Sequence, residues 1–303
     1  MGDSTLYTCP WCKRSSDASS TSCPSCGAPV DVRKAVTKSG WTEQPPIKDM
    51  AKIQFGQSFC QIEGTLVPVA DFKLAAGDGV YFAHHLMLWK DDQAQISAMK
   101  LKGGWNRVLA GMPLVMTQAM GPGRIAFSKD HPGELVAIPL DRGQSIDVRE
   151  HVFMIATHSI SYDWFTSGIW YRTREENNRE THYPVGMFMD RFTAGEKAGL
   201  LLLHGTGNVY VRELQAGEHI LIQPSSLLFK EPTVRMNLHF EYPASVWTRP
   251  GTWIVTSRSW GNRYLWLRLA GPGKIGVQSH FAPIEDPGHR MDSFEPNATE
   301  VQW

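Results

Sequence analysis

Long runs of one character are missing from this 303-residue sequence. No apolar stretch approaches the ~20 residues that a bilayer-spanning helix needs; the tightest is Leu200-Leu201-Leu202-Leu203. No block of one charge occurs either. Lys and Arg together number 30, Asp and Glu together 30, and the balance holds in the first fifty residues as in the rest. Bulk electrostatic capture of nucleic acid or of an anionic membrane is thereby excluded. The opening Met1-Gly2-Asp3-Ser4-Thr5-Leu6 has no basic stretch leading into an apolar one, so no secretory signal is expected, and Leu6 breaks the myristoylation pattern. Also missing are a G-x-S-x-G elbow, a Walker loop and any long stripe of apolar residues at helical spacing.

Cysteine is scarce, five in all, and four of the five fall within the first 26 residues. A disulfide framework scatters cysteines along a chain, whereas metal binding clusters them. The clustering predicts a reducing, cytoplasmic setting. Cys9-Pro10-Trp11-Cys12 and Cys23-Pro24-Ser25-Cys26-Gly27 form two C-P-x-C knuckles separated by ten residues. Two such knuckles supply a tetrahedral set of four thiolates, the geometry zinc prefers. A segment this short buries too little apolar surface to fold unaided, and structural zinc supplies on the order of 10–16 kcal/mol. Rubredoxin-type iron generally takes a longer insert, and a thioredoxin-type redox pair needs a βαβ context. Structural zinc on Cys9, Cys12, Cys23 and Cys26 is the expectation. Near-neutral charge around the knuckles favours a folded adaptor over a nucleic-acid reader.

The chain divides into a zinc ribbon (1–30), a polar linker (31–52) containing Pro45-Pro46, a large domain (53–283) and a polar tail (284–303). Trp41 in the linker is expected to anchor on the large domain. Within that domain Leu-x-x-Gly, a polar residue and alternating apolar residues recur at Leu74/Gly77/Asp78/Val80/Phe82, Leu140/Gly143/Gln144/Ile146/Val148 and Leu214/Gly217/Glu218/Ile220/Ile222. Apolar triplets follow each copy: Met87-Leu88-Trp89, Phe153-Met154-Ile155 and Leu227-Leu228-Phe229. A glycine turn feeding a period-2 run predicts a strand with one face in a core. A second glycine motif is read at Gly121-Pro122-Gly123, Gly205-Thr206-Gly207 and Gly271-Pro272-Gly273, alternating with the first. The predicted class is all-β: three tandem β-sandwich or double-stranded β-helix-like units in a pseudo-threefold arrangement. The hydrophilic stretch Arg172 to His182 reads as a surface loop. The eleven tryptophans read as core and inter-unit packing rather than as a binding platform.

Gln61-Ile62-Glu63-Gly64 with Pro68-Val69, the Leu-x-x-Gly-Asp turn, His84-His85 and Gly121-Pro122-Gly123-Arg124-Ile125-Ala126-Phe127-Ser128 resemble the altered inheritance of mitochondria 24 family over residues 53–283. That resemblance implies a fold like the tryptophan RNA-binding attenuation protein. It brings an association with mitochondrial inner-membrane organisation in the eukaryotic branch, and no catalytic residues to carry over. Lacking a visible transit peptide and carrying knuckles, this chain departs from the mitochondrial type toward a prokaryotic, cytosolic member.

Other motifs tempt. Gly271 to Gly276 satisfies G-x-G-x-x-G and Gly121 to Ala126 its variant, yet β-like residues follow where a dinucleotide site needs a helix. His84-His85 could suggest a cupin-like metal site, but neighbours in a strand face opposite ways. Cys60 lies in an apolar-alternating run and reads as a buried, inert thiol. Arg258, Arg263 and Arg268 near Trp260 could form a small basic-aromatic patch. The leading function is therefore a non-catalytic binding or scaffold protein with the ribbon as adaptor to a protein partner, self-association being plausible. Two alternatives stand: a cupin-like metal-dependent enzyme, and RNA binding by analogy of fold.

Overall fold

The computed structural model describes residues 6–8, 13–17, 24–25, 41–43, 50–100, 115–175, 178–241, 264–282, 293–296 and 299–302. Their regular structure is β throughout, save two single-turn 3-10 segments at His84–Leu86 and Pro224–Ser226. Three units repeat one plan of six strands. The first contains β1 (Val69–Leu74), β2 (Gly79–Phe82), β3 (Met87–Lys90), β4 (Gln95–Lys100), β5 (Val115–Met120) and β6 (Gly123–Ser128). The second contains β7 (Glu134–Leu140), β8 (Ser145–Arg149), β9 (Phe153–Thr157), β10 (Ile160–Thr166), β11 (Phe188–Ala194) and β12 (Gly199–Gly205). The third contains β13 (Val209–Leu214), β14 (His219–Ile222), β15 (Leu227–Lys230), β16 (Arg235–Glu241), β17 (Tyr264–Ala270) and β18 (Gly273–Gln278).

In every unit the first, sixth and third strands form one antiparallel sheet and the second, fifth and fourth another. Units then join by their sheets. β2 of the first pairs with β9 of the second, and β8 of the second with β15 of the third, both antiparallel. The results are a six-stranded sheet β7-β12-β9-β2-β5-β4 and a seven-stranded one, β10-β11-β8-β15-β18-β13 with Thr42–Glu43 at its edge. The sheet β1-β6-β3 is extended by Ser58–Glu63 and Ala51–Phe55, and β14-β17-β16 by Thr299–Gln302.

The turn glycines behave as the repeat requires. At Gly77, Gly143 and Gly217 φ is +86°, +78° and +82°, and each turn closes through an amide of the following polar residue, as from Gln144 to the Asp141 carbonyl at 2.9 Å. Open space surrounds the place where a Cβ would stand, so backbone conformation alone demands glycine. The requirement at Gly121 and Gly271 is different. A Cβ there would sit 2.2 Å from the Ala75 carbonyl oxygen and 2.4 Å from that of Gln215. Gly217→Ala is expected to cost about 1–2 kcal/mol through left-handed strain. Gly271→Ala should cost more, because two backbone segments must separate; comparing thermal melts of the two variants checks the order.

The middle member of the second glycine motif needs correction. Gly121 and Gly271 donate their amides to the Asp78 and Glu218 carbonyls, and the matching bond in the second unit runs from Ala194 to Gln144. Residues 194–199 therefore hold the place of Gly-Pro-Gly there. Gly205-Thr206-Gly207 lies one strand later, in the passage from β12 to β13. Arg172 to His182 is also more than a loop: Tyr171–Glu175 and Asn178–His182 form an antiparallel hairpin that also pairs with Ser293–Pro296, within the stretch read as a polar tail.

Each unit has its own apolar core. Val80 and Phe82 of β2 enter the first while Tyr81 enters the second; Leu200 and Leu202 of β12 enter the first while Leu201 and Leu203 enter the second. A strand buried on both faces carries an unbroken apolar run, which explains the four leucines. Trp41 packs on the third core, and Thr42–Glu43 pairs with β13, so the segment after the knuckles is anchored there.

Candidate functional site

The knuckle residues Cys9, Cys12, Cys23 and Cys26 lie outside the described residues, as do Arg258, Arg263 and the Trp260 turn. The remaining candidates can be placed. His84 and His85 occupy a 3-10 turn rather than the expected strand, with His85 exposed. The two G-x-G-x-x-G matches open β6 and β18 and no helix, as the β-like residues behind them predicted. Cys60 is fully buried, and burial, with the nearby Asp71 carboxylate adding to it, pushes its thiol far above the ordinary range. An un-ionised thiol without access is a poor nucleophile. Arg268 lies on β17, opposite Leu221 of β14 and Asn237 of β16.

Two polar clusters were missed by sequence reasoning. Asp147, wholly buried on β8, accepts from Arg191 Nε at 2.6 Å and its NH2 group at 2.9 Å, and from the Lys230 ammonium at 2.9 Å. The hydrogen bonds to Asp147 hold the Arg191 guanidinium above its usual range. Arg191 also lies over the Phe165 ring at 4.7 Å. Because β8 and β15 belong to different units, the Lys230 contact ties the second unit to the third. Both carboxylate oxygens are occupied, which leaves Asp147 a structural part. The signal available in the sequence was a lone acid between Ile146 and Val148, inside an alternating run.

The second cluster surrounds His204, at the end of β12. Its ring meets that of His131 edge-on, with centroids 4.7 Å apart. His131 pairs with Asp130 at 2.8 Å and reaches the Thr206 hydroxyl at 3.4 Å. Burial first, then the charges of His131 and Lys129, push the His204 pKa down to about 4. His204 is therefore neutral at physiological pH. Near it a cleft of about 50 Å³ is lined by Ile62, Gly64, Thr65, Pro68, Gly133, Glu134 and Leu135. That is room for a water or two, against the roughly 300–1,000 Å³ of pockets that enclose metabolites. Among the described residues no three of His, Cys, Asp and Glu gather to hold a metal ion.

What the described surface offers instead is a sheet edge. Every residue of β3 is exposed, Leu88 at 53% and Trp89 at 45%. Trp89 departs from the expectation that tryptophans serve the core; Trp41, Trp164, Trp170 and Trp266 are half-buried. Among the described residues no helix is long and apolar enough to cross a membrane.

Comparison with known proteins agrees with this architecture. No curated protein matches the chain. Among solved structures, the crystal structure of protein SPYM3_0169 from Streptococcus pyogenes is similar, with a TM-score of 0.52 and 18% identity over 74% of this chain and 94% of that one. At that identity the likeness is one of fold. The model of the Mitochondrial biogenesis AIM24 family matches residues 60–280, which takes in all three units, and the chain belongs to that family.

Proposed function

We propose that this chain works by binding rather than by catalysis: a three-unit β scaffold bearing a zinc-folded adaptor at its amino-terminal end, acting in a reducing, cytoplasmic setting. The observation that carries this reading is the pair of C-P-x-C knuckles set ahead of a segment that Trp41 anchors on the third core. A module that folds only around a metal, followed by a segment that docks on the scaffold through Trp41, suits capture of a partner protein. The described polar groups lend support. Asp147 is saturated by its cations and Cys60 is sealed in the core, so neither is poised for chemistry.

Metal analysis of the purified chain should return one zinc per chain, lost in a Cys9→Ser, Cys12→Ser variant. A pull-down should recover a protein with the intact chain and lose it when residues 1–30 are removed, a cut that keeps Trp41 in place. A chain that binds no zinc, or captures the same partner without the ribbon, removes the adaptor. Turnover of a small molecule that survives in the ribbonless chain would replace the scaffold reading with an enzyme.

A further inference from the structure

The two junctions between units obey one register. Counting from each turn glycine, the residue five positions on in one unit faces the residue twelve positions on in the next: Phe82 faces Ile155, and Val148 faces Phe229. The residues at four and thirteen face each other likewise, Tyr81 with Ala156 and Asp147 with Lys230. At both junctions the paired strands are buried: every residue of β2, β9 and β15, and the central three of β8.

A head-to-tail rule used twice leaves one strand of each kind unused. These are β14, the second strand of the third unit, and β3, the third strand of the first. Each ends its sheet: among the described strands β14 pairs only with β17, and β3 only with β6. They are also the exposed members of their kinds. All four residues of β3 are exposed, as are His219 and Leu221 of β14. Bare edges of this sort usually carry charge or proline against chance pairing. β3 has one such charge, Lys90 at its end, and otherwise presents Met87, Leu88 and Trp89.

We propose that β14 of one chain pairs antiparallel with β3 of a second copy, extending the internal register to a third junction. Ile222 then faces Trp89, and Leu221 faces Lys90. The first of these pairs is apolar on both sides, like its two counterparts within the chain. Because the two surfaces differ, the contact is heterologous, and the assembly closes as a ring or grows as a filament. This goes beyond the adaptor reading and holds whether or not the ribbon has a partner.

The test uses the full chain and two substitutions on exposed side chains. Trp89→Lys spoils β3, and Leu221→Lys spoils β14 by placing a second ammonium opposite Lys90. Molar mass in solution, measured by light scattering after gel filtration, should exceed one chain for the parent and fall to one chain for each variant. Mixing the two variants in equal amounts should give twice the chain mass and nothing larger, since one intact β14 and one intact β3 remain. Recovery on mixing also shows that both variants are folded. The proposal is overturned by a parent that stays monomeric, by an assembly that neither substitution disturbs, by one that Trp89→Lys alone abolishes (the signature of β3 pairing with β3), or by variants that remain monomeric when mixed.

Discussion

Asp147→Ala will lower the stability of the chain by about 3–5 kcal/mol, the usual loss when one partner of a buried ion pair is removed. The size follows from what is left behind. Arg191 is 40% exposed and can turn to water, but the Lys230 side chain is only 5% exposed and has no such outlet. Its ammonium would stay in the sheet with one weak bond, to the Glu231 carbonyl at 3.4 Å. Replacing both ions by apolar residues, Asp147→Leu with Lys230→Met, should restore most of the loss, because satisfied buried pairs contribute little net stability over a well-packed apolar substitute. Denaturant midpoints of the parent, the single and the double variant decide the matter. A single variant that unfolds with the parent would mean that water reaches Lys230.

Acid will destabilise the protein through His204, and the direction is fixed by linkage. In the unfolded chain an imidazole takes its proton near pH 6.5. In the folded protein burial holds that pKa at about 4, with the His131 and Lys129 charges adding to the depression and Asp130 opposing it. Between those two values the unfolded state binds more protons, so stability is full at neutral pH and drains away as pH falls from 6.5 toward 4. The shift from 6.5 to about 4 is worth roughly 3 kcal/mol at 1.36 kcal/mol for each pKa unit, and most of it is lost over that window. His204→Gln removes the titrating group, so its stability should vary less across the same range. Urea titrations of both proteins at pH 7, 5.5 and 4.5 provide the comparison. Parallel curves would assign the acid sensitivity elsewhere.

The legible features were the local ones. Leu74, Leu140 and Leu214 close their strands, Gly77, Gly143 and Gly217 make the turns, and the alternating residues behind them enter cores, because turn chemistry and period-2 burial act over a handful of residues. The three-unit plan followed from their recurrence. Gly205-Thr206-Gly207 misled for the same reason: glycine spacing records where the backbone bends, whereas the hydrogen bond from Ala194 to Gln144 spans 50 residues and leaves no local mark. The polar clusters stayed hidden because their members meet only in three dimensions, Asp147 with Lys230 across 83 residues and His131 with Thr206 across 75. The exposure of Trp89 was equally illegible. Met87-Leu88-Trp89 and Phe153-Met154-Ile155 are alike as strings, yet one lies at a sheet's rim and the other in its middle.

The four leucines of β12 and the aromatic pair Tyr81-Phe82 of β2 act as a party wall, each course of side chains lining a different chamber on its own side. Demolishing one chamber therefore strips the plaster from the next. A chain shortened by a whole unit would leave a greasy façade behind, and even lengthening the connection between β6 and β7 would pull His131 away from His204 in the neighbouring unit. Growth of such a protein by duplication must add the wall and the room together.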